Sequence, residues 1–122
     1  MYTGSLRELQ TLDTVAPGAP ENTTADIHVS SSTRRVYVSN RGHNSIAVFE
    51  MGAGGRLARK AVTACGGDWP RNFALAPAGP FMVVANQYSG NLSVLPLLIG
   101  SEELGAAVAR ANVPQAACVQ FV

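Results

Sequence analysis

The chain lacks any long uninterrupted apolar run: its longest, residues 92–99, is broken by Pro96. A membrane-crossing helix needs about 20 consecutive apolar residues, so no span is expected. The opening residues, MYTGSLREL, contain no basic region followed by an apolar core, and no secretory signal is read there. An excess of charge of one sign is missing too. Nine Lys and Arg stand against eight Asp and Glu, a balance that advertises no polyelectrolyte partner and sets nucleic acid aside. Cysteine is scarce: Cys65 and Cys118 are far apart and do not form a metal-ligand spacing. Without a secretion signal they are read as free thiols in a reducing cytoplasm. Apolar residues are abundant, 47% against 14% charged. That composition suits a buried β protein, and 122 residues suffice for one domain with a modest core.

The densest pattern lies in residues 24–49, TADIHVSSSTRRVYVSNRGHNSIAVF. Residues 25–30 alternate, with Ile27 and Val29 on one side and Asp26 and His28 on the other, as a half-buried strand does. A turn over 30–33, a strand over 36–40, a polar connection over 41–44 and a strand over 45–49 follow. After the Gly-rich turn 51–56, residues 57–62 supply a fourth, outer strand. A shift of 46 positions places Ile27 on Phe73, Val29 on Leu75, Asn40 on Asn86 and Val48 on Val94. The second copy reads as strands 73–75, 81–86 and 91–95, with a fourth taken from the repeat within the alanine-rich 101–110. Val119 and Phe121 then open a third copy. Four strands per period of this size is the signature of a propeller blade.

The expected fold is therefore all-β, a β-propeller fragment of about two and a half four-stranded antiparallel blades. It comprises an outer strand at 6–15, a blade at 25–64, a blade at 71–113 and a lone inner strand at 118–122. Residues 16–24, APGAPENTT, form a loop. Blades bury their faces only against neighbouring blades, so the ends should expose apolar face and unpaired edges. Self-association through those open edges is expected, unless the chain is part of a longer propeller.

The strings Val38-Ser39-Asn40-Arg41-Gly42-His43, Ser45-Ile46-Ala47-Val48-Phe49 and Trp69-Pro70-Arg71-Asn72-Phe73 carry a resemblance. With the flanking ENTTADIHVS and LAPAGPFMVVANQYSGNLSV, they resemble the C-terminal part of the lactonase family of seven-bladed propellers, of 6-phosphogluconolactonase type. The resemblance covers essentially the whole chain. It implies hydrolysis of a sugar lactone, chiefly 6-phospho-D-glucono-1,5-lactone in the pentose phosphate route, with no metal and no cofactor. The alternatives are a non-catalytic ligand- or protein-binding propeller segment and an inactive truncated remnant.

The two copies act as a control on one another. Asn40 and Asn86 recur and read as turn residues, whereas His28, Arg41, His43, Asp26 and Arg71 are replaced by Ala74, Gln87, Ser89, Asn72 and, in the first copy, Ala25. In an up-and-down blade the loop entering the first strand and the loop joining the second to the third share one rim. That rim should gather Glu21, Asn22, Asp26, His28, Arg41, His43, Asp68 and Arg71. For the implied reaction His28, Arg41 and Glu21 are the catalytic candidates, and Arg71, His43, Asp26 and Asn22 the substrate-binding ones. Arginine grips anionic oxygens and stabilises an oxyanion, while a neutral histidine or a carboxylate takes the proton of the attacking water. Each has a structural alternative. His28 and Arg41 can bridge blades, Asp26 can fix a turn or an arginine, and His43 and Glu21 can be solvated loop residues. Trp69 is read as packing rather than as a substrate platform.

Overall fold

The computed structural model describes residues 4–30, 32–101 and 103–122. Ser31 of the 30–33 turn, Glu102 of the alanine-rich stretch and the first three residues of the N-terminal stretch lie outside the described residues. The β-branched and aromatic segments fold into two four-stranded antiparallel sheets, each ordered as its strands occur in the chain. The first contains β1 (Thr23–Ser30), β2 (Arg35–Arg41), β3 (Ser45–Met51) and β4 (Leu57–Ala64). The second contains β5 (Pro70–Leu75), β6 (Phe81–Asn86), β7 (Asn91–Pro96) and β8 (Ala109–Asn112). This is the expected all-β architecture of a partial propeller.

Three expected strands differ. Residues 6–15 form no strand; they lie along β4, held by side chains. The Gln10 amide exchanges two hydrogen bonds with the Leu57 backbone, at 3.0 and 2.9 Å, and Arg59 donates to the Asp13 and Val15 carbonyls. Residues 118–122 likewise form no strand. They rest beside β5 through the Val119 N–H, which donates to Asn72 Oδ1 at 2.7 Å, and through Phe121 edge-on to Phe81. A strand needs a ladder partner, and among the described residues neither segment has one. The fourth strand of the second sheet is Ala109–Asn112 rather than 101–110. Pro96 ends β7, and the chain makes an excursion that buries Leu104 before returning to pair with β7.

The main core lies between the sheets. Tyr37, Ile46 and Val48 from the first meet Phe73, Met82, Val84 and Leu95 from the second, with Cys65 from the connection between them. Burying each such side chain contributes about 2 kcal/mol. A smaller cluster, Val36, Val38, Ala47 and Phe49, faces away from the second sheet. The alternation in β1 is as expected, but its burial is reversed. Ile27 and Val29 are 61% and 58% exposed on the side away from the second sheet, while Asp26 and His28 are partly buried against it. A β-bulge explains part of this. Thr24 pairs with Asn40 but Ile27 with Val38, so one extra residue enters β1 and re-aims Asp26. The same bulge recurs in β5 between Pro70 and Asn72.

Cys65 is fully buried, and its thiol contacts the Gly67 carbonyl and Asn86 Oδ1 at 3.2 and 3.3 Å. Burial pushes it up to about 11, whereas Cys118 is exposed. Since the reference thiol ionises at 9.0, the stability contributed by protonated Cys65 is complete below that value and is lost as pH rises through the folded value. With a thiol-reactive disulfide at mildly alkaline pH, Cys118 should react rapidly and Cys65 only after unfolding in urea. Fast reaction of both in the native chain would contradict this core.

Candidate active site

The rim is built from the strand ends that the antiparallel topology places together: the entry to β1, the β2–β3 turn, the entry to β5 and the β6–β7 turn. Asn40 and Asn86 end β2 and β6, fully buried. Asn40 donates to Ser45 Oγ at 3.1 Å and accepts from Asn22 Nδ2 at 3.2 Å; Asn86 donates to Ser93 Oγ at 3.0 Å. These amides close the ends of the blades, in keeping with their recurrence. Asn22 also accepts the His43 N–H at 3.2 Å, tying the β1 entry to the β2–β3 turn. Gly42 sits at φ +103°, and a side chain there would run into the Glu21 carbonyl oxygen, so the close approach requires glycine.

Arg41 ends β2. Its Nη2 donates to the Thr24 carbonyl at 2.9 Å, and its guanidinium carbon lies 5.5 Å from the centre of the Trp69 ring, within the range of a cation–π contact. Its Nε is buried with no hydrogen-bond partner, the one such side-chain atom among the described residues. Arg71, exposed, donates to Gln87 Oε1 at 3.2 Å. No carboxylate among the described residues lies within ion-pair distance of either arginine. His43 is anchored through Nδ1 to Ser45 Oγ at 2.7 Å, which leaves Nε2 for proton transfer. Glu21 is exposed, with its backbone carbonyl beside Gly42.

Trp69 and Asn44 carry the junction between the sheets. Asn44 Nδ2 donates to Asp68 Oδ1, and Asn44 Oδ1 accepts the Trp69 N–H, both at 2.9 Å. Trp69 adopts φ +68°, a conformation that costs a bulky residue about 1–3 kcal/mol. Its ring stacks on Tyr88, with centroids 4.6 Å apart and planes 17° from parallel. Sequence reasoning passed over Asn44 and Tyr88. The only signal was an asparagine after Gly42-His43, a residue type that tolerates the left-handed backbone it adopts here, φ +59°.

Two expected site residues are elsewhere. Asp26 Oδ2 accepts from Asn72 Nδ2 at 2.7 Å and from the Phe73 N–H at 3.1 Å, and meets His28 Nε2 at 3.0 Å. His28 pairs with Tyr37, and its ring lies 4.7 Å from Phe73. Tyr37 is four residues from Arg41 along β2, roughly 13 Å at the rise of a strand. The structure thus places Glu21, Asn22, Arg41, His43, Asp68 and Arg71 at one end of the two sheets, with Asn22 bonded to His43, Asp68 to Asn44 and Arg41 set over Trp69, and places Asp26 and His28 between the sheets. The bulge turns Asp26 towards β5, and the strand period takes His28 with it.

The family model described as "Lactonase, 7-bladed beta-propeller" matches residues 1–121. The chain belongs to this lactonase family. It is 36% identical over 121 residues to a 6-phosphogluconolactonase of Bacillus subtilis (strain 168), covering 98% of this chain and 35% of that protein. It is 35% identical over 97 residues to a 6-phosphogluconolactonase of Formosa agariphila, covering 77% and 28%. Among solved structures, the periplasmic gluconolactonase of Pseudomonas aeruginosa superposes with a TM-score of 0.87 at 32% identity, over 98% of this chain and 34% of that one. The chain thus spans about a third of the relatives it matches, and its two sheets are blades of that propeller fold.

The contact between these lactonase blades repeats. Asn72, the counterpart of Asp26, accepts the N–H of Val119 just as Asp26 accepts that of Phe73. Asp26→Ala should lower stability by about 2 kcal/mol, because it leaves the Phe73 N–H without an acceptor. Asp26→Asn, which keeps one, should cost less. Urea unfolding midpoints measure both, and an unchanged midpoint in the alanine variant would remove the clasp.

Proposed function

We propose that this chain carries one wall of a lactone-hydrolysing site and acts on 6-phospho-D-glucono-1,5-lactone, giving 6-phosphogluconate as in the pentose phosphate route. The single observation that carries the reading is the pair of arginines, Arg41 and Arg71, on one rim with His43 and with no carboxylate among the described residues to neutralise them. The names of the Bacillus subtilis and Formosa agariphila relatives support the substrate class. With that route we assign the reaction to the cytoplasm.

In this scheme Arg41 faces the carbonyl oxygen of the lactone and stabilises the oxyanion that forms as water attacks C1. Arg71 holds the anionic end of the sugar. His43 Nε2, or the Glu21 carboxylate, takes a proton from the water as the new C1–O bond forms. The C1–O5 bond then breaks and O5 receives a proton, leaving an open-chain hydroxy acid that ionises to the carboxylate. Asp26 and His28 act at a distance, by fixing β1 against β5.

Hydrolysis of 6-phosphogluconolactone, followed against its spontaneous rate, tests the proposal. The 122-residue chain should give a small excess rate, since these blades line only part of the family's channel. Arg41→Ala should reduce that excess by about 100-fold, the scale of losing one oxyanion donor. No excess at high protein concentration would remove the enzymatic reading in favour of a binding segment.

A further inference from the structure

We propose that Trp69 and Tyr88 form, with Arg41, a subsite for a sugar acid, and that the subsite is complete within these two sheets. It rests on the lactone-hydrolase reading and names the part of the site that sorts ligands by charge and by carbon chain. The sequence suggested that Trp69 only packs. Three observations argue otherwise. Its left-handed backbone is not a requirement of the blade, since its counterpart Thr23 is not among the residues with positive φ. Tyr88, stacked on it, remains 64% exposed, whereas a packing partner would be buried. Arg41 is pinned over the indole by Thr24, with no carboxylate among the described residues at ion-pair distance.

None of the three recurs. One repeat away stand Thr23 for Trp69, Gly42 for Tyr88 and Gln87 for Arg41. The first sheet supplies the cation and the second the aromatic wall, so the group exists only where the two meet. Its chemistry is specific. A guanidinium presents paired N–H donors to a carboxylate or a phosphate. The exposed Tyr88 ring offers an apolar surface to the C–H face of the attached carbon chain. The ligand class is a polyhydroxylated chain ending in an anion, the shape of the proposed product.

Trp69 is the only tryptophan in the chain, so intrinsic fluorescence reads the subsite directly. The full chain is titrated with 6-phosphogluconate, gluconate, inorganic phosphate and glucose. A saturable change in Trp69 emission with 6-phosphogluconate and none with glucose is expected. Arg41→Ala should weaken binding about tenfold or more, and Tyr88→Ala about threefold to tenfold. Tyr88→Phe should restore it, with far-UV circular dichroism and the melting temperature unchanged in all three. Gluconate matching 6-phosphogluconate identifies the carboxylate at C1 as the group at Arg41 and supports the subsite; a response to 6-phosphogluconate alone would seat the phosphate there and overturn the placing of C1 at Arg41. Inorganic phosphate binding as tightly as 6-phosphogluconate would overturn the aromatic wall, and no response to either sugar acid would overturn the subsite altogether. Lactone hydrolysis without a fluorescence response removes the subsite and leaves the enzyme reading. A response without hydrolysis does the reverse.

Discussion

The Asp26 carboxylate fixes β1 against β5, and the geometry of the rim depends on that contact. A blade buries its faces only against another blade, and the inner strands are where the two sheets come closest. At that point the Phe73 N–H lies beside a fully buried ring, away from water, where an unpaired donor costs about 1–3 kcal/mol. Asp26 Oδ2 accepts that N–H, takes Asn72 Nδ2 as well, and holds His28 against the Phe73 ring. In the next interval Asn72 Oδ1 does the same for Val119. The device is thus one acceptor on each inner strand, β1 and β5, reaching forward to the segment that follows.

With the inner strands held, the rim inherits its positions. Arg41 leaves the end of β2 and meets an indole that belongs to the other sheet. Asn44, at the β2–β3 turn, spans the same boundary with both ends of its amide, donating to Asp68 and accepting from Trp69. The hydrogen bond to the Trp69 N–H holds that residue in a backbone state it would not adopt alone, and the Trp69 carbonyl in turn accepts the Gln87 N–H at 3.0 Å. The strain at Trp69 is therefore sustained by both sheets.

Much of this was legible in the residues, for a physical reason. Strands two and three of each blade are central and apolar, buried on both faces in the first blade and alternating in β7, so the repeat and their extents could be read directly. That Arg41, His43, Asn22 and Arg71 share one rim followed from the antiparallel topology, whereas their roles do not. The outer strands carried no such signal: β8 is exposed along its length, and an edge strand owes its existence to a partner distant in sequence. The placing of Asp26 was hidden because a bulge adds one residue without a glycine to mark it. With that residue counted, the polar face of β1 points at the second sheet, and His28 leaves the rim. Residues 6–15 and 118–122 were read from pattern, whereas a strand is decided by what lies beside it.

The distribution of charge along β2 separates scaffold from site. At the end away from the rim, Arg35 pairs across the ladder with Glu50, which Lys60 and then Arg35 hold below the usual carboxylate range. That end is internally neutralised. At the rim end of the same strand, Arg41 has a carbonyl, an aromatic face and a buried Nε without an acceptor. Leaving a donor of a charged group desolvated and unpaired opposes folding, and a nearby carboxylate would relieve it as it does for Arg35. Asp68 stands at the same junction, yet its Oδ1 accepts from Asn44. Rigidity alone gives no reason to withhold a counter-ion from Arg41. The proposed anion subsite would supply one, with the guanidinium and its aromatic neighbour as the receiving surface, since the Nε itself is buried.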